Sequence, residues 1–138
     1  DVAKAIALGA DAIALGHSVM MALNCNKDIP EANYEEEMGV EPGYCYHCHT
    51  GRCPVGVATQ DPALRERLDP DEAAERVYNF LHTLTMEAQM MARACGKTNI
   101  HSLEPEDLAA LTMEASALAQ VPLAGTDFTV GVDDYHHI

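Results

Sequence analysis

Three of the chain's five cysteines fall within nine residues, Cys45-Tyr46-His47-Cys48-His49-Thr50-Gly51-Arg52-Cys53, with Pro54 directly after. Packing alone does not call for such density. Thiolates spaced this way and closed by Cys-Pro can wrap around one metal centre. The residues leave several chemistries open. In an iron–sulfur reading, Cys45, Cys48 and Cys53 supply the three ligands of a three-iron cluster. Cys25 either adds the fourth ligand of a cubane or replaces Cys45. In a haem reading, Cys45, Cys48 and His49 form the C-x-x-C-H attachment pattern, with His49 and one of seven methionines as axial ligands; Cys53 is then without a role. In a zinc reading, three cysteines join a histidine or Cys25. Zinc ribbons pair two C-x-x-C units, and only one is present. The plainest alternative is a loop of unligated thiols.

The elements around the loop must hold it. Asp1 to Gly9 reads as a short helix, with Val2, Ala5, Ile6 and Leu8 on its apolar side and Gly9 as its stop. Ala12-Ile13-Ala14-Leu15 is a short apolar run suited to a strand buried on both faces. Val19 to Leu23 turns helical again. One such strand needs neighbours for its backbone groups, and the chain offers no second one. The segment is therefore expected to be the tail of an α/β repeat, and a chain starting at Asp1 is expected to be cut from something longer. Gly16 then sits at the carboxyl end of the strand. Its N–H, with that of His17, is placed to meet a phosphate, although a Gly there is more often just a turn.

Residues 25–44 read as a polar, exposed loop carrying Glu35-Glu36-Glu37. Beyond the cysteines, Asp61 caps a short helix from Pro62 to Leu68. The strongest helix signal follows: Asp69, Pro70 and Glu72 give a cap, a first-turn proline and capping-box spacing. Ala73, Val77, Phe80, Leu81, Leu84, Ala88, Met91 and Cys95 continue it as an amphipathic stripe to Gly96. Cys95 is expected to be buried there. Met86, Met90 and Met91 are expected as core or helix-contact residues. Pro105 opens a helix to about Ala119, with Leu108, Leu111, Ala115 and Leu118 inward. The tail from Val121, with His136 and His137, is expected to be irregular.

Composition narrows the classes. The net charge is −14, so a phosphate backbone or anionic membrane is an unfavourable partner. No apolar run approaches the ~18 residues of a membrane span. Apolar residues make up 48%, enough to bury a core. An odd cysteine count rules out complete disulfide pairing within one chain, and the clustering favours a metal and a reducing, cytoplasmic setting.

The run Cys48-His49-Thr50-Gly51-Arg52-Cys53-Pro54-Val55-Gly56-Val57-Ala58-Thr59-Gln60-Asp61-Pro62 closely resembles the iron–sulfur segment of the glutamate synthase large subunit. Leu8-Gly9-Ala10-Asp11-Ala12-Ile13-Ala14-Leu15-Gly16 resembles the last strand of that family's FMN-binding (β/α)8 barrel. Residues 75–81 and 100–108 resemble the helical segment that follows. The resemblance implies an α/β architecture: residues 1–24 as the last helix-strand-helix of the barrel, 25–60 as the iron–sulfur loop, and 61–138 as a mostly helical C-terminal segment.

The resemblance further implies an FMN and iron–sulfur oxidoreductase that makes glutamate from 2-oxoglutarate and ammonia by reducing an imine. Cys48 and Cys53 match the second and third cluster ligands. The first closes a stretch matched by Ala22-Leu23-Asn24-Cys25. Between Cys25 and Cys48 lie 22 residues, far more than in the family, so an insertion spans about 26–43 and brings Cys45 with it. Cys25 or Cys45 supplies the first ligand of a 3Fe-4S cluster, or both serve a 4Fe-4S cluster. Backbone N–H groups of Thr50 to Cys53 are expected to donate to sulfur, and Arg52 to add positive charge. Gly16 matches a position beside the FMN phosphate. The remaining flavin contacts would come from the rest of the barrel or a partner chain. Electrons would come from a donor protein or an NAD(P)H-oxidising subunit, and this chain alone is expected to be inactive.

Overall fold

The computed structural model describes residues 1–25, 27, 29, 34–41 and 44–131, without the side chains of Tyr34 and Glu37. Six α-helices are found among them: α1 (Val2–Ala7), α2 (His17–Ala22), α3 (Tyr34–Met38), α4 (Pro62–Arg65), α5 (Pro70–Ala94) and α6 (Met113–Ala119). The described residues form no strand, only isolated bridges between Arg52 and Thr59 and between Ala110 and Leu123. Ala12–Leu15, expected as a strand, therefore runs without a ladder. A strand exists through its hydrogen-bonding neighbours, and none is present here. No helix among the described residues is long and apolar enough to cross a membrane.

The chain divides into two compact units. One comprises Asp1–Ala14 with Leu84–Ile138, the other Leu15–Thr83.

In the first unit, Ile6, Ala7, Ala92 and Leu103 form the core, with Val2, Ala3, Ile13, Ile100 and Leu108 packed against it. Helix α1 stops at Gly9, whose φ of 102° is accessible to glycine and whose N–H bonds the Ile6 carbonyl. Beyond α5, Lys97 pairs with Glu104 at 2.9 Å and Asp107 at 3.5 Å.

The helix expected from Pro105 does not run through. Pro105–Asp107 makes one 3-10 turn, and Leu108 is extended at φ −107° and ψ 152°. Ala110 exchanges backbone bonds with Pro122 and Ala124, which takes it out of helical register. Helix α6 starts afresh at Thr112, whose hydroxyl accepts from the Ala115 N–H at 3.1 Å. Leu111 and Leu118, expected inward, are 87% and 80% exposed. The buried residue of α6 is Ser116. Its hydroxyl donates to the Val121 carbonyl at 2.7 Å and accepts from the Val130 N–H at 3.1 Å.

Helix α5 begins as its sequence requires. Asp69 Oδ1 accepts from the N–H groups of Asp71 (3.0 Å) and Glu72 (3.1 Å). Glu72 pairs with Arg76 one turn on. The buried stripe differs from the expected one: Leu81 is exposed, Val77, Phe80 and Leu84 are half-buried, and the end of the stripe shifts. Ala73, Ala88 and Ala92 are buried, while Met91 and Cys95 are exposed. From Ala88 the inward position four residues on is Ala92, which moves Met91 and Cys95 off the inward face. Met86, Met90 and Met91 are about half exposed, at 48%, 58% and 55%, and are not core residues.

Candidate thiol site

The cysteine loop lies in the second unit and is braced by its own hydrogen bonds. Cys48–Thr50 forms a single 3-10 turn, ended by Gly51 at φ 73°. Thr50 Oγ1 donates to the His47 carbonyl at 2.8 Å and accepts from the Arg52 N–H at 3.2 Å. Thr59 closes the loop from the far side. Its buried hydroxyl donates to the Gly51 carbonyl at 2.5 Å and accepts from the Asp61 N–H at 3.1 Å. Asp61 then caps α4 by accepting from Ala63 and Leu64. Arg67, just past α4, donates to the Pro54 carbonyl at 2.9 Å, and Lys27 donates to the Arg67 carbonyl at 3.0 Å.

Gly56 is where only glycine serves. Its φ is 83°, and a Cβ there would lie 2.5 Å from the Leu64 carbonyl oxygen and 3.2 Å from the Leu68 nitrogen. The loop and α4 can approach this closely because no side chain stands between them.

The segment between Cys25 and Cys45, expected as an exposed loop, carries part of the core. Ile29 and Met38 are buried at 7% and 9% exposure. Ile29 packs with Cys53 and Val55, and Cys25, Val57 and Ala58 lie against that group. Met38 ends α3, and its carbonyl is 3.1 Å from His47 Nε2. The mean polarity of the segment hid these two residues, since isolated apolar side chains among acids and prolines carry no periodicity. Glu35 and Glu36 are exposed, as expected of a solvated face.

The four candidate ligands occupy one electrostatic neighbourhood. Cys53 is buried, Cys25 and Cys45 are half-buried, and Cys48 is exposed. Burial pushes the Cys25 thiol above its ordinary pKa, and the nearby Cys48, Cys53 and Cys45 push it further. Without a cation, Cys25 therefore stays a thiol. Among the described residues, no three Cys, His, Asp or Glu side chains stand in a metal-holding arrangement. The thiols share a neighbourhood without converging on a point. The donor set fits a thiolate-held centre in its chemistry, four soft sulfurs on one stretch of chain, while its ligand geometry is open. Two of the expected backbone donors are already engaged: Thr50 N–H bonds the His47 carbonyl, and Arg52 N–H bonds Thr50 Oγ1.

Cys95 lies in the first unit, exposed just past the end of α5. Gly16 is the residue before α2 and His17 its first; both are exposed. A Cβ on Gly16 would meet nothing within 4 Å. These two residues make no enclosed phosphate pocket by themselves, so they fit FMN only as the edge of a larger site. His136 and His137 lie outside the described residues.

Comparison with known proteins gives the class of this braced thiol loop. The family described as "Conserved region in glutamate synthase" matches residues 37–98, which include Cys45, Cys48, Cys53 and all of α5. A glutamate synthase large subunit-like protein of Rhizobium meliloti is 53% identical over 131 residues, covering 95% of this chain and 29% of the relative. An archaeal glutamate synthase (NADPH) of Methanocaldococcus jannaschii is 41% identical over 103 residues, 75% of this chain and 17% of that protein. A large subunit-like protein of Bacillus subtilis is 32% identical over 95 residues, 69% of this chain and 15% of its own length. No solved structure matches. The chain belongs to the glutamate synthase family. It spans less than a third of the length of these relatives.

Proposed function

We propose that this chain is the iron–sulfur portion of a glutamate synthase-type oxidoreductase. Cys48 and Cys53 ligate a cluster together with Cys25, Cys45 or both, giving a 3Fe-4S centre with three ligands or a 4Fe-4S centre with four. The observation that carries this reading is the family match over residues 37–98, which contains Cys45, Cys48 and Cys53, together with the packing of Cys25 against the group that holds buried Cys53. When bound, the cluster supplies single-electron transfer between an outside donor and FMN, for reductive formation of glutamate from 2-oxoglutarate and ammonia. Residues 1–24 complete the FMN barrel, residues 25–60 hold the cluster, and residues 61–138 form the helical C-terminal segment. The rest of the flavin site, with Gly16 and His17 at its edge, comes from the remainder of the barrel or a partner chain. The donor is a protein or an NAD(P)H-oxidising subunit, in keeping with the NADPH in the names of several relatives. The setting is cytoplasmic.

The chain's own residues do three things for such a centre. Thr59 and Gly51 hold the turn after Cys48, the Pro54 carbonyl is tied to Arg67, and Gly56 lets the loop lie against α4. Cys53 sits in apolar surroundings that exclude water. Arg52 places a cation on the rim, which favours a negatively charged cluster.

Anaerobic purification of the full-length protein tests the reading. Iron and acid-labile sulfide in comparable amounts, with broad visible absorption, are expected. A sharp Soret band that survives acid-acetone extraction would replace the reading with a covalent c-type haem carrier. Zinc without iron would replace it with a zinc-stabilised interaction module.

A further inference from the structure

We infer that Ile29, from the segment inserted between Cys25 and Cys45, is the apolar wall that keeps water off the buried side of the thiol site. Its redox consequence rests on the cluster reading above; its geometric part stands without it. Ile29 is packed directly with Cys53 and Val55, with Cys25 against the same group. Anchors lie on both sides of it in the chain. Two residues before, Lys27 Nζ reaches the Arg67 carbonyl at 3.0 Å. Nine residues after, buried Met38 offers its carbonyl to His47 Nε2. Ile29 and Met38 thus meet the cysteine loop itself, and Lys27 is tied to Arg67, which in turn holds the Pro54 carbonyl. An insertion that only lengthened a surface loop would bury neither Ile29 nor Met38.

An apolar wall beside sulfur has a consequence that ordinary core packing lacks. A thiolate-held cluster is negatively charged, and reduction adds to that charge. Water stabilises added charge better than a hydrocarbon side chain does, so excluding water lowers the potential and slows attack on sulfur and iron.

The test uses Ile29→Asn, Ile29→Ala and Ile29→Val in the full-length protein. Its first arm needs no cluster: metal-free protein is alkylated with iodoacetamide, and Cys53 and Cys95 are followed separately by peptide mass spectrometry. Cys53 is expected to react slowly in the wild type and Ile29→Val, and many-fold faster in Ile29→Ala and Ile29→Asn. Exposed Cys95 is expected to react at one rate throughout. In the second arm, iron-loaded Ile29→Asn is expected to lose iron faster to a chelator and to show a raised midpoint potential, with Ile29→Val behaving as wild type. If the wild type binds no iron, the cluster reading fails and the first arm still decides the role of Ile29. Equal Cys53 rates in all four proteins would overturn the inference. So would a matching loss of helical circular dichroism in Ile29→Ala, which would mark general unfolding. Should Ile29→Asn not fold, Ile29→Ala decides, because it removes the wall without burying an amide.

Discussion

Replacing Gly56 by alanine tests how the cysteine loop is held. Two costs follow from the structure. The residue sits at φ 83°, where an L side chain costs roughly 1–2 kcal/mol. Its new Cβ would also come 2.5 Å from the Leu64 carbonyl oxygen. That contact is with backbone, so relief requires α4 or the loop to move, at about 1–3 kcal/mol. The sum is about 2–5 kcal/mol. Gly51→Ala is the matched control. Its φ of 73° carries the same conformational cost, but a Cβ there meets nothing within 4 Å. The two variants should therefore differ by the steric contribution alone, about 1–3 kcal/mol. Urea denaturation followed by circular dichroism measures both, provided the m-values agree. Gly56→Ala is expected to shift the midpoint clearly more than Gly51→Ala. Equal midpoints would show that the loop and α4 do not approach each other as described, and the bracing argument would fall with them.

Further outcomes are expected. Cys25→Ser and Cys45→Ser, made separately, should each be assayed for iron per chain; at least one should lower it, and if neither does, neither residue is a ligand. Cys95→Ser, at an exposed position, should leave iron content unchanged and stability within ~0.5 kcal/mol by thermal denaturation. Ser116→Ala removes the partner of the buried Val121 carbonyl and of the half-buried Val130 N–H and should cost about 1–3 kcal/mol in the same assay. Asp69→Ala removes the cap of α5 and should cost ~0.5–2 kcal/mol.

What could be read from the sequence follows how local its cause is. Asp69-Pro70 starts α5 and Asp61-Pro62 starts α4, because a cap acts within three residues of itself. Gly9 ends α1 for the same reason. Ala12–Leu15 has the composition of a strand, but a strand is a relation between segments, and none of the described residues pairs with it. Pro105 does open a helical turn. The turn is then abandoned because Ala110 finds bonding partners at Pro122 and Ala124, which no local pattern announces. The shift from Cys95 to Ala92 on α5 is a matter of which neighbour arrives at the helix, and a stripe of mixed alanine and methionine does not decide it. At the site, the family resemblance pointed to the class, which the comparisons then supported. Thr59, Arg67 and Ile29 were not legible, since each acts on a residue at least eight positions away.

The bracing of the cysteine loop bears on how the protein is made. Small zinc domains fold only as the ion binds, so their shape and their loading are one event. Here Thr59, Gly56 and Arg67 fix the path of the chain through bonds that involve no sulfur. On the cluster reading proposed above, shaping and loading are then separable: these bonds can form before any iron or sulfide arrives, and the loop does not depend on a metal for its path.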